Sequence, residues 1–418
     1  KVFYKAPLTT PQGGGFKSVN VTTRKTFGLY ANVRPCRSLQ PFVATRHPKM
    51  DLVIIRENEE DLYAGIEHQQ TDEVVQCLKL FSRTGTEKIC RFAFEYARHQ
   101  GRRKVTCFTK DNIMKLTDGL FHRVFEEVGA EYPDITKEHW IVDIGMAKVV
   151  DTPEMFDVVL VPNLYGDILS DITGQMMGSV GLAGSANIGE HASMFEAIHG
   201  SAPRRAGQDA ANPSGLLLAG VMMLEHIGRH AEAEAVHNAW LRTLEDGVHT
   251  YDVAREGMTR AQVGTRAFAD AIIDRLGKRP EKLPAARHER REPFTLPSPR
   301  PRPAAKRELV GVDVFVCWDE AGRSPEALAR RLQVANGEDL HLTMLTNRGQ
   351  KVWPQGAPET TCTDHWRCRF TSESGARVTQ DRVLAVTRAL AEAGLEVIKT
   401  EHLYTIDGKP GFSAGQGQ

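Results

Sequence analysis

The run Tyr165-Gly166-Asp167-Ile168-Leu169-Ser170-Asp171 carries two aspartates four residues apart. On a helix, that spacing puts both carboxylates on one face. Hard oxygen ligands converging in this way suit Mg²⁺ or Mn²⁺. Downstream, Phe195-Glu196-Ala197-Ile198-His199-Gly200 and then Asn212-Pro213 read as a loop that opens a helix, a setting for phosphate or nucleotide binding. Metal and dinucleotide side by side suggest a metal-assisted oxidation.

A second polar stretch runs from Leu8 to Arg24. Gly13-Gly14-Gly15 permits a tight turn and close backbone approach, and Ser18, Asn20 and Arg24 follow at short intervals. Arg34 and Arg56 lie further on, each beside a short apolar run. Three arginines near polar loops suit a substrate with several carboxylates, because guanidinium pairs with carboxylate bidentately. A lone arginine is more often a surface ion-pair former, so the reading rests on their grouping. The same holds for His199, Asp167 and Asp171, each of which taken alone is an ordinary polar residue.

The elements that must position these groups are mixed α/β. Leu52-Val53-Ile54-Ile55, Val158-Val159-Leu160-Val161 and Lys104–Thr109 fit buried strands. Ile89, Phe92, Ala93, Tyr96 and Ala97 recur at helical spacing. Asn212 as cap and Pro213 at the first helical position open a helix running through Leu224, apolar nearly all round and therefore destined for the core or a subunit interface. Residues 278–307 hold seven prolines and many basic residues, which predicts an extended, solvated linker. Beyond it, Val312–Trp318, Ser324–Leu332, Leu340–Leu345, His365–Phe370, Thr379–Ala393 and Glu396–Ile406 read as β-α-β-β-α-β, a ferredoxin-like α+β pattern without a catalytic constellation. Trp318, Trp353 and Trp366 belong to its packing. The Gly- and Gln-rich end, from Gly411, reads as a frayed tail.

Bulk properties narrow the class. Lys and Arg balance Asp and Glu at 53 each over 418 residues, so charge gives no reason to expect a nucleic acid or membrane partner. No apolar run has the length of a membrane span. Seven scattered cysteines form no C-x-x-C pair, which fits a reducing, cytoplasmic setting.

Together these stretches resemble the metal-dependent β-decarboxylating dehydrogenases of the isocitrate/isopropylmalate family over residues 1–277. Within that family the resemblance is to bacterial NADP-dependent isocitrate enzymes of the thermophile type, which carry an extra C-terminal domain. It implies a two-domain α/β sandwich rather than a classical Rossmann fold, in keeping with the missing G-x-G-x-x-G fingerprint. Residues 1–30 and 178–277 would form the large cofactor domain, and 31–177 the small domain with catalytic, metal and dimer-interface elements. The linker 278–307 would lead to the C-terminal domain 308–418. The family's opening strand and Gly-Asp-Gly-Ile-Gly turn are not found, so the expectation is a chain entered part-way.

The resemblance also assigns roles. Ser18, Asn20, Arg24, Arg34 and Arg56 would hold isocitrate. Tyr63 and Lys110 would be the catalytic pair. Asp143, Asp167 and Asp171 would bind Mg²⁺ or Mn²⁺. Lys110 and Asp143 would reach into the partner subunit's site, so the unit of function would be a homodimer. Thr9, Glu196, His199, Gly200, Ser201, Ala202, Arg204, Arg205, Asn212, Tyr251 and Arg255 would line the NADP site. Arg204, Tyr251 and Arg255 would favour the 2′-phosphate, whereas Arg205 stands where NADP forms often carry Tyr. The implied reaction is oxidative decarboxylation of isocitrate to 2-oxoglutarate. Homoisocitrate or 3-isopropylmalate would be the alternative substrates, and a non-catalytic regulatory subunit the alternative of another class.

Overall fold

Continuous aliphatic runs fold as strands covered on both faces, and alternate residues of each run go to opposite sides. The computed structural model describes the chain apart from residues 12, 16, 291–294, 298–300, 338, 373–376 and 416–418. Parts of the predicted glycine turn, linker and tail therefore lie outside the described residues. Two units result: Lys1–Ala64 with Lys79–Pro299, and Gly65–Leu78 with Arg300–Gln418.

In chain order the structure runs β1 (Val2–Tyr4), α1 (Val19–Thr26), β2 (Ala31–Arg37) and β3 (Asp51–Glu57), then a hairpin of β4 (Glu67–Gln69) and β5 (Val75–Cys77). Next come α2 (Arg83–His99), β6 (Lys104–Thr109), α3 (Thr117–Gly129), β7 (Thr136–Ile141), α4 (Val142–Asp151), β8 (Val158–Val161) and α5 (Asn163–Met176). The first unit closes with β9 (Gly184–Ile188), β10 (Ser193–Ala197), α6 (Ser214–His226), α7 (His230–Glu245), β11 (Val248–His249), β12 (Ala261–Gln262) and α8 (Thr265–Ile273).

Its main sheet has the order β1-β10-β9-β2-β3-β8-β6-β7. Strands β3, β8, β6 and β7 are parallel, while β2 and β9 pair antiparallel with their neighbours. Val53, Ile55 and Leu160 enter one core with Phe92, Phe94, Phe121 and Phe125 of α2 and α3. Leu52, Ile54, Val159 and Val161 enter the other with Leu169, Trp240 and Phe268. One sheet thus spans both stretches expected as large and small domains. Helix α6 starts at Ser214, with Pro213 rather than Asn212 at the cap position, and Asn212 Oδ1 accepts from Ser214 N at 3.0 Å just before it. It packs against β9 because Gly184 and Gly215 leave room: a Cβ on Gly184 would lie 2.6 Å from Ala219 N.

The second unit comprises β13 (Arg307–Cys317), α9 (Pro325–Leu332), β14 (His341–Asn347), β15 (Gln350–Trp353), β16 (His365–Thr371), α10 (Gln380–Glu392), β17 (Glu396–Ile406) and β18 (Lys409–Pro410). The order β15-β14-β16-β13-β17-β18 contains the expected ferredoxin-like core, extended at its edges by the short β15 and β18. Ser324 caps α9 by accepting from Ala327 N, with Pro325 at the first helical position. Trp318 and Trp366 are buried and meet edge to face at 5.6 Å, as packing residues do.

One grouping departs from the linear reading. The β4–β5 hairpin, within the stretch 31–177, belongs to the second unit. Arg323 holds Glu73 through two bonds of 3.0 and 2.7 Å, and Thr71 donates to the buried Asp364 at 2.6 Å. These contacts join residues some 250 positions and more apart, which local patterning does not reveal. Among the described residues no helix is long and apolar enough to cross a membrane, and all seven cysteines are free thiols.

Candidate active site

Helix α5 leaves the end of β8 and carries Asp167 and Asp171 on one face, as the spacing predicts. Arg56, at the end of the adjacent β3, is fully buried, and its Nη1 donates to Asp167 Oδ1. Its Nε and Nη2 are fixed by Asn163 Oδ1 at 3.0 and 2.8 Å. Gly166 makes this approach possible, since a Cβ there would sit 2.6 Å from Arg56 Cγ and 2.9 Å from a Val161 methyl. Arg34, on β2, is 3% exposed, reaches Asp167 Oδ1 at 3.7 Å and donates to Ser170 Oγ.

Tyr63 lies in a short turn after β3 and donates its hydroxyl to Asp167 Oδ2 at 2.6 Å, with the Arg56 guanidinium 4.8 Å from its ring centre. Asp61, two residues earlier, adopts φ 64°, an uncommon conformation for a non-glycine residue. Its carboxylate accepts from Leu164 N at 2.8 Å, which ties the turn to the start of α5.

The electrostatics are concentrated. Burial and then the Arg56 charge lower the Arg34 pKa to about 9. Burial opposes the Asp167 charge, but Arg56, Arg34 and the Tyr63 hydroxyl hold that carboxyl below its usual range. Asp171 moves the other way, raised by burial and by Asp167 against the pull of Arg34. Burial raises the Tyr63 pKa, so its phenol is protonated at neutral pH.

Arg24, on α1, couples electrostatically to both buried arginines and binds Glu196 Oε1 at 2.7 Å. Lys5 holds the other oxygen of Glu196. Ser18 caps α1 and accepts the Thr10 hydroxyl at 2.9 Å. Asn20 Oδ1 and Arg24 Nε are buried without a partner among the described residues. An acceptor and a donor left open in this way fit a ligand carrying hydroxyl and carboxylate groups.

Lys110 follows β6, and its Nζ is 2.9 Å from Asp143 Oδ1 in the first turn of α4, which lowers the Asp143 pKa. Within one chain these two stand as their own pair. Asp143, Asp167 and Asp171 do not bring their oxygens together there as one ligand group among the described residues. Asp167 and Asp171, four residues apart on one helix, remain a donor set of the kind Mg²⁺ or Mn²⁺ takes.

The predicted cofactor loop is exposed. Ala202 is left-handed at φ 45°, Thr9 and Ser201 share a hydroxyl hydrogen bond, and His199 Nδ1 is 2.8 Å from Gly200 O. The Arg205 guanidinium stacks 4.1 Å from the Tyr251 ring centre. Arg204 and Arg255 are exposed, and Asn212 donates to Asp252 at 3.0 Å. Sequence reasoning missed three supports. Asp118 accepts from Lys110 N at 2.7 Å and from Lys79 Nζ at 2.7 Å, and Lys79 also lies 3.6 Å from Asp61.

A mixed sheet with an arginine-rich, twin-aspartate centre of this kind matches a described family. Residues 1–272 match the model of isocitrate/isopropylmalate dehydrogenase, and the chain belongs to that family. Residues 307–418 match a second model, the C-terminal domain of bacterial isocitrate dehydrogenase. Across 421 residues the chain is 49% identical to the isocitrate dehydrogenase [NADP] of Rickettsia bellii, covering all of this chain and 86% of that protein. It is 46% identical to the protein of the same name from Thermus thermophilus, covering 84% of it. The crystal structure of the TT0538 protein from Thermus thermophilus superposes with a TM-score of 0.92 at 45% identity, over all of this chain and 84% of that one.

Proposed function

We propose that this protein oxidises and decarboxylates isocitrate to 2-oxoglutarate and CO₂ with reduction of NADP. The observation that carries the reading is the convergence of Arg34, Arg56 and Tyr63 on Asp167, with Arg24 coupled to the same centre. Three guanidinium groups so close, two of them buried, call for an anionic ligand of high charge. A tricarboxylate with a hydroxyl also answers the open Asn20 and Arg24 atoms.

In this reading the arginines hold carboxylates and orient the C2–H bond. Lys110 of one copy receives the C2 hydroxyl proton beside substrate held by the other. Asp167 and Asp171, with Asp143 from the copy that supplies Lys110, would hold the divalent ion, which would supply Lewis acidity, and NADP would supply the hydride acceptor. Tyr63, protonated at neutral pH, delivers a proton to the carbon from which CO₂ leaves. Arg204, Tyr251 and Arg255 select the 2′-phosphate. The half-buried apolar face of α6 and the separation of Asp143 from Asp167 favour a homodimer with shared sites. Free thiols throughout favour a reducing, cytoplasmic compartment.

Purified protein with isocitrate, Mg²⁺ and NADP should produce NADPH and 2-oxoglutarate, and chelation should abolish both. Turnover only with 3-isopropylmalate or homoisocitrate would overturn the substrate assignment. A preference for NAD would overturn that of the cofactor.

A further inference from the structure

Away from the twin aspartates, a second cluster joins three elements. Asp111 follows Lys110 in the loop after β6, His122 lies on α3, and His139 on the edge strand β7. One ligand atom from each falls within 4.8 Å of the others, the one such group among the described residues. His122 Nδ1 is 2.7 Å from Asp111 Oδ2, and His139 Nε2 is 3.9 Å from Asp111 Oδ1. The two imidazoles stack at 3.5 Å with 13° between their planes. Glu126 Oε1 stands 3.9 Å from His122 Nε2.

Two imidazoles and a carboxylate make a donor set for borderline transition ions, whereas Mg²⁺ prefers oxygen throughout. Around a tetrahedral ion with bonds of about 2.0–2.1 Å, donor atoms sit roughly 3.3 Å apart. Closing on an ion would widen the 2.7 Å His122–Asp111 contact, shorten the 3.9 Å His139–Asp111 one and splay the stacked rings. Side chains 16–29% exposed leave room for water as the fourth ligand. His139 Nε2 is meanwhile 2.8 Å from Thr109 Oγ1, a contact the ion would replace.

We propose that Asp111, His122 and His139 form a second divalent-cation site, selective for a zinc-class ion. Its occupancy restrains the loop that carries Lys110, because Asp111 is the next residue and Lys110 O already accepts from Ile113 N and Met114 N. Binding itself does not depend on the proposed catalytic reading. Only the effect on turnover does.

The full chain, titrated with Co²⁺ in excess Mg²⁺, should show the visible absorption of a tetrahedral ion at one equivalent per chain. His122→Ala and His139→Gln should each weaken that binding by about tenfold or more. Replacing the exposed His68 should not. The glutamine keeps a hydrogen-bonding group beside Thr109, and an unchanged circular dichroism spectrum shows that the variant folds. Zn²⁺ should slow NADP reduction by the parent protein and spare His122→Ala. Equal Co²⁺ affinity in parent and variants, loss in only one of the two, or an octahedral spectrum overturns the site. Cobalt binding lost as expected but without any effect of Zn²⁺ on turnover overturns the restraint on Lys110 and leaves the site standing.

Discussion

The hydroxyl of Tyr63 donates to Asp167 Oδ2 at 2.6 Å, so the expected proton donor rests on an expected metal ligand. Replacing Tyr63 by Phe removes the proton and little volume. Turnover should fall by about 10²-fold or more, the scale of general-acid catalysis. The KM for isocitrate should change little, because the arginines remain. A steady-state assay that finds kcat unaltered would remove Tyr63 from the chemistry.

Gly166 should tolerate no side chain. A methyl group there collides with Arg56 and Val161, both of which are close-packed. Gly166→Ala should cost about 1–3 kcal/mol by overpacking. It should also raise the isocitrate KM by displacing Arg56. Urea unfolding together with kinetics tests both, and an alanine variant of normal stability and KM would contradict the packing argument.

Glu196 predicts an acid limb of stability. Burial opposes its charge, but Arg24 and Lys5 bring its pKa down to about 2 from an ordinary 4.5. A carboxyl depressed in the folded state contributes stability that is complete above its unfolded pKa and lost as pH falls towards the folded one. The window is therefore pH 4.5 down to about 2, and a displacement of this size is worth about 3 kcal/mol. Glu196→Gln should flatten the pH dependence of unfolding in that window. A slope identical to that of the parent protein would show that the ion pairs contribute nothing.

The proposed sharing of sites between two copies makes a genetic prediction. Lys110→Met and Tyr63→Phe chains, each nearly inactive alone, should recover activity when co-expressed. In a mixed dimer one site then pairs an intact Tyr63 with an intact Lys110 from the other chain. Recovery should approach half the parent activity per mixed dimer. No rescue in a verified mixed dimer would mean that each chain supplies both groups to its own site.

Legibility followed distance along the chain. Lys104–Thr109 as a strand and Pro325–Leu332 as a capped helix were readable because cap, period and apolar run are local. Asp167 and Asp171 announced themselves through a four-residue spacing. Gly166 was visible as a glycine, but its reason, Arg56 packed beneath it, is a tertiary fact. Asp118 escaped because its partners, Lys79 and the Lys110 backbone, lie on separate segments. The Asp111–His122–His139 cluster joins a loop, a helix and an edge strand, so no sequence motif marks it. Strand β15, four residues long, is too short to show a period.

The chain visits its second unit twice, as the Gly65–Leu78 hairpin and again after the proline-rich connector. That unit is therefore joined by three chain crossings, two at the ends of the hairpin and one at the connector, rather than by one. Tension on the C-terminal end runs through the Arg323–Glu73 and Asp364–Thr71 contacts into the hairpin as well as along the connector. The hairpin emerges at Gly65, two residues from Tyr63. Pulling on the C-terminal end would therefore load the chain beside Tyr63 as well as the connector.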